Sequence, residues 1–435
     1  MSNNNSDEGL RRVIGVKGLA ATVVNNTIGA GIYALPAIVG IQLGAAGITG
    51  YLFCGLMFAT IILCYIEIGS RVNTSGGSYA YVEAAFGPFS GFLINWLFLF
   101  GFGIMSSAAV MNIFADSLSV LFPIFSKLPA RTFLFFLVLG MMVLINVRGT
   151  KQGLRFLEGI TVVKLIPLVG IIIFGFSQIN TSNLHWEHLP PLKSFGDTAL
   201  ILFFAFGGFE ISLNVSGEIK NPKRTLPLGM LLGFGLVLII YLLIQTIAQG
   251  ILGTQLVNFK DAPLAAVAER IIGPVGETIL IIAAIISCLG NTSGDVMASP
   301  RLLFAGAKDG LFPKFLAKIH PRFATPYPAV ITYALLIFIF SLSGEFRQLA
   351  VLSSCATLLI YLAVVLATIK LRMKKENVTE KTFKVPGGLT IPFIAIASII
   401  WLLSNLSVKE IISAAVFLAV ICIIYFSMKR LQNRE

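Results

Sequence analysis

Twelve apolar runs, most of them near or above the roughly 20 residues that a helix needs to cross a bilayer, dominate this chain of 435 residues. They cover approximately residues 13–40, 43–69, 89–118, 131–147, 155–177, 197–217, 226–250, 274–304, 327–343, 348–371, 389–406 and 409–428. Only 12% of the residues are charged and 56% are hydrophobic, where a soluble domain carries about 25% charged residues. Backbone N–H and C=O groups in hydrocarbon must pair within the protein, and a helix does this segment by segment. The pattern therefore predicts an all-α polytopic membrane protein with twelve transmembrane helices.

The net charge of +12 would suit nucleic acid in a soluble chain, but in a membrane chain the placement of the cations carries the information. With the N-terminus cytoplasmic, 24 Lys and Arg fall in cytoplasmic segments, 7 fall on the opposite face, and Lys164 lies inside a span. This predicts both termini in the cytoplasm and a place in the cytoplasmic membrane, with the lipid bilayer rather than nucleic acid as partner. The first apolar run is too long and too interrupted for a cleaved signal, so it is expected to stay. The tails, 1–12 and 429–435, and the loops are short, the largest being 178–195, 305–325 and the basic 371–386. A soluble catalytic or nucleotide-binding domain has no room.

Motifs of other classes find no support. There is no phosphate loop, no HExxH and no CxxC pair, so no cofactor, ATP-driven pumping or metalloprotease chemistry is expected. The five cysteines, 54, 64, 288, 355 and 422, are odd in number and lie in apolar runs, where they read as small hydrophobes. His185-Trp186-Glu187-His188 lacks the further ligands of a metal site, and Trp186 reads as an interfacial anchor.

Two spans carry an interruption. The first holds NNTIGAGIYALP (25–36) and the sixth FFAFGGFEISLNVSGE (203–218). Gly29 and Gly31 stand two apart, so they cannot share one helix face as a small-xxx-small packing motif requires, and unwinding is expected there. At Gly207-Gly208 close packing and unwinding stay open as alternatives. Each interruption opens a block of five spans, 13–177 and 197–371. An odd number of spans turns the two blocks in opposite orientations, as in inverted-repeat transporters. A basic loop, 372–388, and two further spans, 389–428, follow.

Unwound backbone in a bilayer leaves groups unpaired at several kcal/mol each, so it must face a polar cavity or a ligand. The half-helix that begins after Gly31 turns its N–H groups and positive dipole end to the midplane, which suits an anion. The half-helix that ends near Phe206 offers carbonyls, which suit an ammonium. Together the two ends match the carboxylate and amine of an amino acid.

Three ionisable side chains lie within spans, where desolvation makes a functional reading the default. Lys164 is nine residues past Arg155, roughly 14 Å along a helix and too deep to snorkel easily; the competing reading is a structural ion pair. Glu210 follows the second interruption and either brackets the broken helix or handles protons. Asp295 sits midway along span eight. Glu67 and Glu158 read as interfacial.

TIGAGIYALP, GGSYAYVEAAFGPFSGF, FFAFGGFE with EIKNPKRTLPLG, and AGAKDGLFPKFLAKIHP occur in this order. On these stretches the chain resembles the amino acid-polyamine-organocation transporters over essentially its full length. The resemblance implies a five-plus-five inverted-repeat (LeuT-like) fold with broken helices 1 and 6 and two additional C-terminal spans, working by alternating access. It places the substrate carboxylate on the amides of Ile28, Gly29, Ala30 and Gly31, and the amine on carbonyls of Thr27, Phe203, Phe204 and Gly207. Phe204 matches a position where relatives use a gating tryptophan. Ser106 and Asp295 match pocket-lining positions, and an acid at Asp295 could bind a cationic side chain or titrate with transport.

Lys164 matches a lysine that resembles a substitute for the sodium ion bridging spans one, five and eight, its ammonium placed among the carbonyls near the first break with Thr292 or Ser293 as hydroxyl partners. Its deprotonation would release that tie, implying proton coupling without sodium. The expectation is a proton-coupled amino acid symporter, monomeric or homodimeric. The alternatives are an exchanger and, from another class, a channel or sensor; the isolated polar residues and short tails speak against these last two.

Overall fold

The computed structural model describes residues 14–29, 31–72, 76–148, 164–186, 190–213, 219–308, 312–323, 325–374 and 383–432, with the backbone alone for 428–432. Helices carry almost all of it. Helix α1 (Val16–Thr27) gives way at Ile28-Gly29 to α2 (Gly31–Leu43), and a short 3-10 turn leads into α3 (Gly47–Arg71). Then come α4 (Gly77–Phe86), α5 (Pro88–Leu121), α6 (Leu128–Arg148), α7 (Lys164–Gln178) and α8 (Leu192–Phe206). The second part of the chain forms α9 (Pro222–Leu252), α10 (Pro263–Ile272), α11 (Pro274–Ala298) and α12 (Pro300–Lys308). It closes with α13 (Tyr327–Ser343), α14 (Phe346–Met373), α15 (Thr390–Ser404) and α16 (Val408–Gln432).

Among the described residues, eight helical stretches are long and apolar enough to cross a membrane. One of them, Gly31–Arg71, joins the second half of the first expected span to the second span. Three shorter apolar helices, Lys164–Gln178, Tyr327–Ser343 and Thr390–Ser404, occupy the expected fifth, ninth and eleventh positions. Residues 155–163 of the fifth lie outside the described residues. Apolar side chains stand exposed along α6 (Phe133, Phe136, Leu137, Leu144) and α16 (Val416, Val420, Ile423, Phe426), an arrangement that suits a lipid surround.

Three features depart from a plain reading of the apolar runs. Span eight is not one helix: Ser299-Pro300 separates α11 from α12, because proline supplies no N–H to the preceding turn but starts a new helix readily. The segment between α9 and α11 contains α10, whose residues from Pro263 to Ala268 are buried. Glu67, expected at an interface, is fully buried. Its carboxylate accepts hydrogen bonds from Arg71 Nη2 at 2.9 Å, from Arg372 Nε at 2.8 Å and Nη2, and from the Val385 N–H at 2.9 Å. Two guanidinium groups offset the desolvation of one acid, and the cluster joins the ends of α3 and α14 to the segment entering α15.

Helix α8 lies against α2, α3 and α14. Phe203 and Phe206 pack on Phe58 of α3, with ring centroids 4.2 and 5.5 Å apart, and Phe203 on Tyr361 of α14 at 5.7 Å. Aromatic contacts of this kind hold α8 on its buried face and leave its C-terminal end to the site.

Candidate functional site: a cavity between two broken helices

Both interruptions are real breaks. After Thr27 the chain leaves the helix, with the Ile28 N–H closing on Val24 O and the Gly29 N–H turning back onto Thr27 O, both at 2.9 Å. After Phe206, Gly207 is extended and Gly208 has φ +106°, followed by a 3-10 turn over Phe209–Leu213. A Cβ on Gly208 would lie 2.5 Å from the Asn26 carbonyl oxygen, so glycine is required there by dihedral angle and by contact alike. The question left open at Gly207-Gly208 has a double answer: the helix unwinds, and it does so against the first break. Asn26 Nδ2 adds a hydrogen bond to Ser212 Oγ at 3.3 Å.

Tyr241 of α9 joins the two breaks from behind. Its buried hydroxyl lies 3.0 Å from Thr27 O and 2.9 Å from Ala205 O. One phenolic hydrogen serves one carbonyl at a time, so the two helix ends together offer more acceptor capacity than this hydroxyl fills. Glu210 holds the second break in shape: its Oε2 accepts from the Gly208 N–H at 3.0 Å and from Tyr361 OH at 2.8 Å.

The breaks face a cavity of about 560 Å³. Of the residues expected at the site, Thr27, Gly29, Gly31, Phe204, Gly207, Ser106, Asp295 and Lys164 line it. Ala30 lies outside the described residues. Ile28 is fully buried, and Phe203 is turned into the aromatic cluster with Phe58. Glu210, Thr292 and Ser293 do not line the cavity, and Thr292 Oγ1 is buried with no hydrogen-bond partner among the described residues. The Lys164 ammonium donates to the Asn25 carbonyl at 2.7 Å, one of the carbonyls near the first break, while its own carbonyl accepts from Tyr33 OH at 3.0 Å. Helix α7 is thereby tied to α1 just ahead of the break.

Asp295 is built into a hydroxyl network. Ser107 Oγ and Tyr333 OH each donate to Oδ2 at 2.5 Å, and Ser299 Oγ donates to Oδ1. Helices α5, α11 and α13 meet at this one carboxylate. Sequence reasoning chose Ser106 of the neighbouring pair; Ser106 lines the cavity and Ser107 reaches Asp295. The reason lies in Leu97–Ile104 of α5, which is π-helical and so rotates every later residue relative to a regular helix. Asn291, whose amide stands 3.0 Å from where a Gly29 Cβ would be, also went unpredicted. So did Tyr241, although a lone tyrosine in LVLIIYLLIQ signals a hydroxyl in need of a partner.

The lining continues from the breaks past Asn95, Ser78 and Tyr79 to Gly76 and Arg301, toward the chain segments rich in cations. On another side Phe204 packs edge-to-face on Phe346 at the start of α14, with centroids 5.7 Å apart.

Two broken helices whose ends face one cavity fit the comparison with known sequences. The amino acid permease family profile matches residues 14–428. The chain belongs to the amino acid permease family. Among family relatives, it is 28% identical to the serine/threonine exchanger SteT of Bacillus subtilis (strain 168), over 98% of each chain. It is 26% identical to the methylthioribose transporter of the same organism, over 99% of this chain and 96% of that one. It is 29% identical to the large neutral amino acids transporter small subunit 2 of Oryctolagus cuniculus, over 85% and 71% respectively. Family membership and the apolar helices make this a multi-pass membrane protein of an amino acid transporter family.

Proposed function

We propose that this chain is a secondary active amino acid transporter of the cytoplasmic membrane, with both termini cytoplasmic, twelve spans and an inverted repeat of spans 1–5 and 6–10. The observation that carries the reading is the meeting of two broken helices on one cavity. Gly31, whose N–H opens α2 and has no partner within that helix, presents the anion-binding end. Thr27 O and the carbonyls ending α8 present the cation-binding end, where Tyr241 leaves acceptor capacity unused. An amino acid zwitterion satisfies both ends at once. The lining that runs toward Gly76 and Arg301, with Phe204 closed on Phe346, fits a carrier open to its cytoplasmic side in alternating access.

Coupling is assigned to Lys164. Its ammonium sits on a carbonyl near the C-terminal end of α1, where the helix dipole favours a cation. Loss of the proton removes that charge and frees α1 to tilt, which couples transport to protons without sodium. Glu210 serves as the bracket of the second break, a role supported by its bonds to Gly208 and Tyr361.

Obligate exchange is the second reading, favoured by the likeness to SteT across the whole chain. Purified protein in proteoliposomes separates these. Accumulation of amino acid driven by a proton gradient and indifferent to sodium is the expected result; accumulation driven by sodium and blind to pH overturns the coupling. Uptake that needs internal amino acid and ignores both gradients selects exchange. Failure of every amino acid and amine to exchange, with methylthioribose exchanging instead, overturns the substrate class.

A further inference from the structure

We infer that the transported amino acid carries a positively charged side chain, of the lysine, ornithine or arginine type, and that Asp295 is the residue that receives it. The inference rests on the transport reading above and goes beyond it to the substrate. Asp295 lines the cavity and keeps open surface there, whereas the three hydroxyl groups that hold it, on Ser107, Ser299 and Tyr333, belong to buried residues. An ionised carboxylate, which accepts and does not donate, takes all three hydroxyls as donors. The 2.5 Å spacing to Ser107 and Tyr333 lies at the short end of O–H···O distances, where charge-assisted bonds fall. An ionised carboxylate has about four acceptor positions, and the three hydroxyls leave one.

This negative charge has no counter-ion among the described residues. The two cations lining the cavity form no ion pair with it: Lys164 donates to the Asn25 carbonyl and Arg301 to the Met297 carbonyl. Hydroxyl donors stabilise a buried carboxylate but do not cancel its charge, and an unpaired buried charge is costly. A ligand cation completes the site.

The spacing agrees. Asn291 of α11 faces Gly29 at the first break, and Asp295 is four residues further along the same helix, a rise of about 6 Å toward Arg301. An extended lysine stem carries its ammonium roughly 6 Å from Cα. A zwitterion seated on the breaks therefore brings such an ammonium to Asp295, and a side chain as short as that of serine stops well short of it.

The test uses two pairs in counterflow with the full chain in proteoliposomes: arginine against citrulline, alike in length and differing in charge, and lysine against norleucine, which lacks the terminal ammonium. Wild-type protein is expected to prefer the charged member by about tenfold or more. Asp295→Asn is expected to lose that preference, each charged-to-neutral ratio falling about tenfold toward one. Lysine, and not norleucine, should raise the melting temperature of the wild-type protein in detergent, a measurement that needs no variant. Norleucine matching lysine in wild type, or an undiminished preference in Asp295→Asn, overturns the inference and leaves amino acid transport standing. Absence of counterflow with all four compounds and with neutral amino acids overturns the transport reading and this inference together.

Discussion

Gly208→Ala tests whether the two breaks form one unit. The alanine would keep φ near +106°, a region essentially closed to side chains, at a cost of about 1–3 kcal/mol. Its methyl carbon would also sit 2.5 Å from Asn26 O and 3.1 Å from Asn26 C. Those atoms are backbone and cannot rotate away, so overpacking adds about 1–3 kcal/mol. The sum, about 4 kcal/mol, corresponds to a roughly thousandfold loss in the population of the native arrangement of the breaks. Relaxing φ instead would aim the Gly208 N–H away from Glu210 Oε2 and forfeit a hydrogen bond of a buried acid. Amino acid counterflow and ligand-induced thermal stabilisation are the assays, with Gly235→Ala in α9 as control. No atom lies within 4 Å of a Cβ at Gly235, and Gly→Ala inside a helix is stabilising by about 0.5–1 kcal/mol. Wild-type affinity and melting temperature in Gly208→Ala would refute the picture of abutting breaks.

Three further outcomes follow from named contacts. Tyr241→Phe removes the hydrogen shared by Thr27 O and Ala205 O; leaving buried acceptors unserved costs about 1–3 kcal/mol, read as a lower melting temperature in detergent, and an unchanged one would show that the hydroxyl is idle. Glu67→Gln leaves Arg71 and Arg372 without their shared carboxylate, a loss on the order of 3–5 kcal/mol. The double variant with Arg372→Met should recover part of that stability, which thermal denaturation measures. Lys164→Ala frees α1 from α7, and its uptake is expected to stop responding to an imposed pH gradient; a response equal to wild type would remove Lys164 from the coupling role.

The apolar runs and the cation bias were legible because bilayer thickness and charge transfer act on each segment independently of its neighbours. Gly29 and Gly31 were legible for a related reason: their spacing contradicts a packing face whatever lies across from them. Lys164 was expected among the carbonyls near the first break, and the one that holds it is that of Asn25, while Thr292 Oγ1 has no hydrogen-bond partner among the described residues. Which carbonyl takes the ammonium has no signature in sequence. Glu67 was misplaced because Arg372, 305 residues later, compensates its charge only after the fold brings them together.

Sequence alone determined the helical membrane architecture and the unwinding at Gly29 to Gly31, since these follow from backbone hydrogen bonding and residue spacing within short stretches, while the breaks at Gly207-Gly208 and Ser299-Pro300 waited on the structure. Tertiary structure decided which side chains complete the site. The π-helical turns of α5 set whether Ser106 or Ser107 meets Asp295, Tyr241 reaches both breaks from a helix that does not line the cavity, and three hydroxyls from α5, α13 and the end of α11 converge on one acid. Rotation about a helix axis and distance between helices fix such contacts, and both are properties of packing rather than of any single segment.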